Sequence, residues 1–386
     1  MTTPLFSRLL GSLVFAGTLL APVGAAQATS TLEAEFDRAF LAPSPLPKAA
    51  VKPAVQSGPA KTAPGKAVPG KTQALVQPVT KTTPRASRAT VRPFVPYGQP
   101  RSFASNLEAQ LHAAANAAQG RIGVAVIDLG TGRTASVLGD TPFPMASTSK
   151  VAVAATFLDG VDKGKWSLDD KFPLMIPVKS ARFSGDKAPV RAGTLMTARQ
   201  LIELALINSS NPATDALLAA VGGPQAVNRW IRTTGVEGMR IDRDIATLVR
   251  DDGEFDPART VDLRDSATPV AMAQLLSGLF EGRWLSSRSR AFLLGTMERC
   301  QTGKRRMRAL LPGEVRVAHK TGTLSNTASD VGIIQAPDGH AYAVAIYVTG
   351  QGGRPNRDAR IASIARTIYD STERHDSGAA TIQVSR

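Results

Sequence analysis

Ser147 and Lys150 stand three residues apart in the run Ser147-Thr148-Ser149-Lys150, a spacing that stacks their side chains one turn apart on one helix face. An amine held beside a hydroxyl in a partly dry site can lose its proton and draw the serine's proton away, which makes the hydroxyl a nucleophile. Two later segments supply the partners such chemistry needs. Ser209-Ser210-Asn211 begins 62 positions after Ser147, and Lys320-Thr321-Gly322-Thr323 a further 111 on. Ser209 can pass a proton to a leaving nitrogen between Lys150 and Lys320. Asn211 offers donor and acceptor to a substrate amide. Lys320 can hold a substrate carboxylate and lower the pKa of Ser209. Thr321 and Thr323 add hydroxyls, Gly322 allows close backbone approach, and the backbone N–H groups of Ser147 and Thr323 can cradle an oxyanion. Each residue alone has a plainer reading: Lys150 as a solvated surface lysine, Ser209 as the cap of a helix opening at Pro212, Asn211 as a structural link, Thr321 as an ordinary strand residue. The three segments in this order favour the chemical reading.

The set resembles the S-x-x-K, S-D-N and K-T-G motifs of class A β-lactamases and penicillin-binding proteins, with Ser210 in the middle of the second. The resemblance extends to the residues around them. Phe143-Pro-Met-Ala-Ser-Thr-Ser-Lys150 is similar to the class A segment that carries the nucleophile. Arg308-Ala-Leu-Leu-Pro312 and Val315-Arg-Val-Ala-His-Lys320 resemble the approach to the third motif, and Arg264-Asp265-Ser-Ala-Thr-Pro269 the end of the Ω-loop. It covers roughly residues 102–372 and implies a serine acyl hydrolase opening a β-lactam through Ser147.

Family members commonly place a carboxylate-binding arginine ten positions after the motif lysine, and here that place falls near Ser329. The resemblance offers Arg306 instead, at a position some relatives use, and a guanidinium suits a carboxylate through two parallel hydrogen bonds. The larger departure lies in the Ω-loop, whose glutamate activates the deacylating water in class A enzymes. An Arg243–Asp265 pair would close this loop, but counting forward from Arg243 the glutamate's place is taken by Ile245. Counting back from Asp265 it falls on Asp252, and Glu254 is the nearest glutamate. Either Asp252 or Glu254 is then a substitute base, Glu254 ahead because its longer side chain reaches further, or the acyl group is released slowly; slow hydrolysis is the expected outcome. Two further readings stay open: a peptidase or penicillin-binding protein acting on D-alanyl ends of peptidoglycan, and a non-catalytic peptidoglycan-binding module. Phe183 falls where the family has a cleft-wall aromatic, with a core role as the alternative.

Rigid elements must hold these motifs, and the chain's ends do not supply them. Residues 1–28 read as a signal peptide, with Arg8, the apolar run Leu9 to Leu20 and the small-residue site Ala26-Gln27-Ala28, which implies export to the periplasm or beyond. Cys300 is the only cysteine; no internal disulfide is possible, and it reads as a small buried apolar side chain near a helix end. Residues 41–100 hold twelve prolines, nine Lys or Arg and no Asp or Glu, so residues 29–100 read as an extended linker. Nine of the fifteen net positive charges fall within 41–100. With only Phe94 and Tyr97 as aromatics in 41–100 the basic stretch does not suit nucleic acid; it suits a tether or contact with acidic envelope polymers.

Residues 101–373 form the expected hydrolase domain, and 374–386 a frayed tail. Capping patterns at Ser105 and Thr197 open helices, Pro212 opens another that Gly222 and Gly223 close, and 269–282, 288–299 and 355–369 are helical. Strands are expected at 122–129, 134–138, 315–323, 330–336 and 340–349, the last two joined at Asp338-Gly339. Strands come from both ends of the domain and helices from its middle. The fold class is therefore α+β, an antiparallel five-stranded sheet flanked by helices plus an all-helical lobe at about 151–268. The motifs fall where the two parts meet, the expected place for a cleft. The four histidines have no ligand-like spacing, so neither metal nor cofactor is expected, and the domain reads as a monomer. His319, next to Lys320, points to the opposite strand face and reads as packing or solvent-facing.

Overall fold

The structure, a computed structural model, describes residues 91–94, 102–117 and 119–379. The signal peptide, the linker up to residue 90 and the last seven residues lie outside the described residues. The elements begin with β1 (Val91–Pro93), α1 (Asn106–Ala114), β2 (Gly120–Asp128), β3 (Thr134–Val137), β4 (Phe143–Pro144) and a 3-10 turn (Ala146–Ser149). Next come α2 (Lys150–Asp162), β5 (Lys171–Pro177), β6 (Val190–Thr197), α3 (Ala198–Ile207), α4 (Asn211–Val221), α5 (Pro224–Thr233), β7 (Met239–Arg240) and α6 (Ile245–Arg250). The chain continues through β8 (Thr260–Asp262), β9 (Ser266–Ala267), α7 (Pro269–Glu281), α8 (Ser287–Glu298), β10 (Arg316–Leu324), β11 (Thr327–Gln335), β12 (Ala341–Gly350) and α9 (Arg354–Ala379).

Five strands make one antiparallel sheet in the order β10-β11-β12-β2-β3. Period-two alternation sends β12 side chains to two cores. Ala343, Ala345 and Tyr347 join the core shared with α7 and the helical lobe, while Tyr342, Val344, Ile346 and Val348 join that of α1 and α9. Both faces are thus covered, which is why β12 reads as an almost continuous apolar run. The Asp338-Gly339 hairpin forms as expected, with Gly339 at a φ of 97° that an L side chain rarely adopts.

Helix starts follow their caps. Thr197 and Gln200 form a reciprocal capping box at α3, and the Thr268 hydroxyl accepts the Ala271 N–H at α7. Gly222, left-handed at φ 98°, ends α4. Three expectations need correcting. The lobe at 151–268 is not all helical, because β5 and β6 pair as a hairpin and β4-β9-β7 form a small sheet. The prolines at 173 and 177 suit this edge position, where a ladder donor is dispensable. The closing helix runs on to Ala379 instead of fraying after Tyr369.

The third correction concerns the linker boundary. Residues 91–93 pair antiparallel with β8 inside the Ω-loop, and the Phe94 N–H donates to the Arg259 carbonyl at 2.8 Å. Arg121 explains the docking. Buried in β2, it stacks over the Phe143 and Phe94 rings at 4.3 and 5.4 Å and donates to the carbonyls of Pro142 and Pro257 at 2.6 and 3.0 Å. Burial pulls its pKa down to about 10.

A protein starting at residue 90 should melt with the one starting at residue 29. One starting at residue 96 loses β1 and Phe94, and its Tm should fall by roughly 2–4 °C, the shift that about 1 kcal/mol gives in a domain of this size. Equal Tm values for all three would show that β1 contributes nothing.

Candidate active site

The 3-10 turn places Ser147. Its geometry is fixed from below by Thr148 Oγ1, which donates to the Met145 carbonyl at 2.7 Å, and Ser149 Oγ, which donates to that of Ala146 at 2.9 Å. The Met145 N–H in turn donates to the Asp265 carbonyl at 3.0 Å. Ala146 sits at φ 49°, a left-handed conformation that costs a non-glycine residue of order 1 kcal/mol and persists only when its surroundings impose it. Lys150 follows as the first residue of α2, one turn from Ser147, with its backbone N–H on the Ser147 carbonyl.

Lys150 and Lys320 are both fully buried, and their ammonium groups converge on one hydroxyl. Ser209 Oγ accepts from Lys320 Nζ at 2.9 Å and from Lys150 Nζ at 3.3 Å. Lys150 Nζ also donates to Asn211 Oδ1 at 2.8 Å and to the Ser209 carbonyl. The local sequence explains why Ser209 is available. The cap of α4 is Ser210, whose Oγ accepts the Ala213 N–H at 3.4 Å, so Ser209 is not the cap. Ser209 itself bridges α3 and α4 at φ 65°, a second left-handed non-glycine at the site. Burial lowers the Lys320 pKa to about 8, opposed by the negative charge of Cys300 and Asp330 and assisted by Arg306.

The third motif lies on β10 against the turn that carries Ser147. A Cβ on Gly322 would come within 2.6 Å of the Met145 carbonyl oxygen and 2.5 Å of Ser329 Oγ, so only glycine lets this strand approach. Thr321 Oγ1 lies 2.5 Å from Thr302 Oγ1. Arg306 is buried behind the strand. Its guanidinium donates to Asp358 Oδ1 at 2.7 Å, to the carbonyls of Gly322 and Ser329 at 2.8 and 2.9 Å, and to Thr323 Oγ1 at 2.7 Å. With 1% of its surface exposed it cannot grip a substrate carboxylate as a two-pronged fork; it reaches the cleft through Thr323.

The Ω-loop arranges its carboxylates differently from expectation. Arg243 Nε and Asp265 Oδ2 pair at 2.6 Å as the loop's closure. Ile245 opens α6 and packs in the apolar core. Glu254 is not brought to Ser147: Arg264 spreads its guanidinium over Asp262 and Glu254, holding the latter at 2.7 Å. Both Asp252 oxygens accept the Ser325 N–H, at 2.9 and 2.8 Å, which latches the loop to the end of β10.

Sequence reasoning missed Asp215. It lies one helical turn beyond Asn211 on α4, and its buried carboxylate accepts the N–H groups of Ile245 and Ala246 at 2.7 and 2.8 Å. Burial raises its pKa to about 7 against those two hydrogen bonds, with Asp244 adding to the rise and Lys150 opposing it. The four-residue spacing from Asn211 was the available signal. Phe183 is 48% exposed at φ 57°, so it is not a core residue. His319 is neither solvent-facing nor in apolar packing: it is buried, with Nδ1 2.8 Å from Asp330 Oδ1.

The beta-lactamase enzyme family matches residues 106–372. The chain is 33% identical over 268 residues to the Escherichia coli beta-lactamase Toho-1, covering 69% of this chain and 88% of that protein. Against the Salmonella typhimurium beta-lactamase CTX-M-6 it is 33% identical over 251 residues, covering 63% and 80%. Among solved structures, an ancestral class A beta-lactamase (GNCA) is 36% identical with a TM-score of 0.60, covering 69% of this chain and all of that one. A beta-lactamase from Chitinophaga pinensis is 30% identical with a TM-score of 0.61 over the same shares.

Gly322→Ala should lower stability by about 1–3 kcal/mol, the usual cost of forcing an extra carbon into a packed contact, because the turn that carries Ser147 must move. Denaturant unfolding measures it; an unchanged midpoint would show that β10 and the turn are not in tight contact.

Proposed function

Because this chain belongs to the beta-lactamase enzyme family and is a serine hydrolase, we propose that it is exported and opens β-lactams through a Ser147 acyl-enzyme that is released slowly. The observation that carries the reading is the Ser209 hydroxyl shared by two buried lysines. In this mechanism Lys150 first loses one ammonium proton to solvent, the resulting amine takes the Ser147 proton, and Ser147 Oγ attacks the lactam carbonyl. The backbone N–H groups of Ser147 and Thr323 hold the oxyanion. As the ring C–N bond breaks, Ser209 gives its proton to the leaving nitrogen and recovers one from Lys150. Lys320 already donates to Ser209 Oγ, which directs that hydroxyl's own proton elsewhere. Lys320, Thr321 and Thr323 face the substrate carboxylate, with Arg306 holding Thr323 in place, and Asn211 meets the substrate amide. Gly322 lets the strand lie close.

Slow release follows from the Ω-loop. Ile245 offers no base, Glu254 is tied to Arg264 and Asp252 to Ser325. A hydrolytic water therefore lacks the carboxylate partner that family members give it. The basic linker fits contact with acidic envelope polymers.

Intact-protein mass spectrometry with a penicillin should reveal one adduct that persists for minutes. Ser147→Ala should abolish it, and Lys150→Ala should slow its formation at least ~10²-fold, the lower scale of general-base catalysis. Labelling that survives Ser147→Ala would sink the assignment. Glu254→Gln should leave the adduct's lifetime unchanged; a tenfold longer lifetime would mean that Glu254 leaves Arg264 and serves as the base. Release of D-alanine from D-alanyl peptides at a rate exceeding lactam turnover would favour the peptidase reading.

Lys320 sets a pH limit. Its charge is complete below about 8 and lost above it, so kcat/KM for a carboxylate-bearing lactam should fall as pH rises through that value, since kcat/KM reports groups of the free enzyme. A profile flat to pH 10, or the same fall in Lys320→Arg, would contradict the role.

A further inference from the structure

The N-terminal strand is fastened to the part of the Ω-loop that holds Glu254. Val91, Arg92 and Pro93 lie opposite Asp262, Val261 and Thr260, and the Phe94 N–H donates to the Arg259 carbonyl at 2.8 Å. Arg121 secures the junction from inside. Its guanidinium donates to the carbonyls of Pro257 and Thr260 in the Ω-loop, at 3.0 and 3.4 Å. It also donates at 2.6 Å to that of Pro142, which leads into β4 and Ser147. The Phe94 and Phe143 rings stack on it, with centroids 5.4 and 4.3 Å from its central carbon. One buried side chain therefore joins the N-terminal strand, the Ω-loop and the approach to Ser147.

Glu254 hangs from the same strand pair. Asp262, opposite Val91, accepts from Arg264 Nε at 3.1 and 3.0 Å. Arg264 Nη2 then bridges Asp262 and Glu254, at 2.7 Å to each. Glu254, Arg264 and Pro144 line one cavity of about 60 Å³, room for roughly one or two waters. Pro144 stands three residues before Ser147. The carboxylate held on Arg264 thus borders the space beside the turn that carries Ser147. A sheet of two three-residue strands is marginal in water by itself, so this junction can open locally while the domain stays folded.

We propose that residues 91–94, clamped on Arg121, are a positioning strap: docked, they keep β8 and Asp262 in place so that Glu254 stays on Arg264, and undocked, they free Glu254 to activate water and shorten the life of the acyl-enzyme. In that step the Glu254 carboxylate takes a proton from water as the water oxygen attacks the acyl carbonyl. The ester C–O bond to Ser147 then breaks, Ser147 Oγ receives the proton from Glu254, and the product leaves as an acid. The effect on lifetime rests on the reading of Ser147 as a slowly released acyl-enzyme; the docking of the strap does not.

The test uses the full chain and Phe94→Pro, which removes both the N–H that Arg259 accepts and the ring on Arg121. Hydrogen exchange of residues 256–262, read by mass spectrometry without any lactam, should quicken in the variant. Unchanged exchange would overturn the docking. With a penicillin, intact mass should show acylation within about twofold of the parent and an adduct lifetime at least tenfold shorter. Phe94→Ala, which keeps the backbone donor and loses only the ring, should shorten it to a smaller degree. Adding Glu254→Gln to Phe94→Pro should restore the long lifetime, a reversal that loss of a merely structural contact would not give. An unchanged lifetime in both Phe94 variants would overturn the positioning role, and a short lifetime that persists in the double variant would overturn the part assigned to Glu254. A chain that never takes a penicillin would instead overturn the reading of Ser147, while the exchange result still decides the docking.

Discussion

Two ammonium groups buried around a single serine hydroxyl are the constraint to which the rest of the domain answers. Each costs several kcal/mol of desolvation even after relaxation. Lys150 is compensated by the Ser209 carbonyl, Ser209 Oγ and Asn211 Oδ1, and Lys320 by Ser209 Oγ and the Thr321 carbonyl. Hydrogen bonds to charged groups contribute about 1.5–3 kcal/mol each, so the array offsets much of the burial. What is not offset appears as the lowered pKa of Lys320. Between pH 8 and 10.5 the unfolded chain holds this proton and the folded one does not, so the penalty Lys320 imposes is full below 8 and fades as pH rises.

Holding that array requires elements from distant parts of the chain to meet at contact distance. Gly322 lets β10 reach the carbonyl before Ser147, and Ser209 reaches both lysines because Ser210 caps the following helix instead. Arg306 ties the motif strand to α9 through Asp358. The strained φ values at Ala146 and Ser209 persist because these contacts over-determine them.

The Ω-loop is held by its own charges. Arg243–Asp265 closes it, Asp215 fixes the first turn of α6, Asp252 and Asp256 bind Ser325 and Asn326 beyond β10, and β1 pairs with β8. These carboxylates are committed to backbone amides, side-chain amides and guanidinium groups. A loop that runs 22 positions from Arg243 to Asp265 needs such fastening, since each residue must be ordered against its entropy. The same commitment pairs Glu254, which sequence spacing had nominated for chemistry, with Arg264.

The sequence by itself determined the elements and the identity of the motif residues. Period-two apolar runs, capping pairs and turn residues are local physics, readable without knowing what they pack against; hence the five strands, the Asp338-Gly339 hairpin and the helix after Thr268 stood where expected. The order of the motif segments restricted the chemistry because few residue types can serve as nucleophile, base and anion anchor. Tertiary structure alone decided which polar groups share a site. Whether Glu254 faces a substrate or Arg264, whether Arg306 opens on the cleft or lies behind Thr323, and whether His319 meets solvent or pairs with Asp330 depends on which strand or loop lands opposite. A side chain's partners over long separations are set by the packing of whole elements, and a carboxylate or imidazole carries no local signal of the partner it will meet. Residues 91–94 make the same point: their composition reads as linker, yet an edge inside the Ω-loop accepts them as a strand.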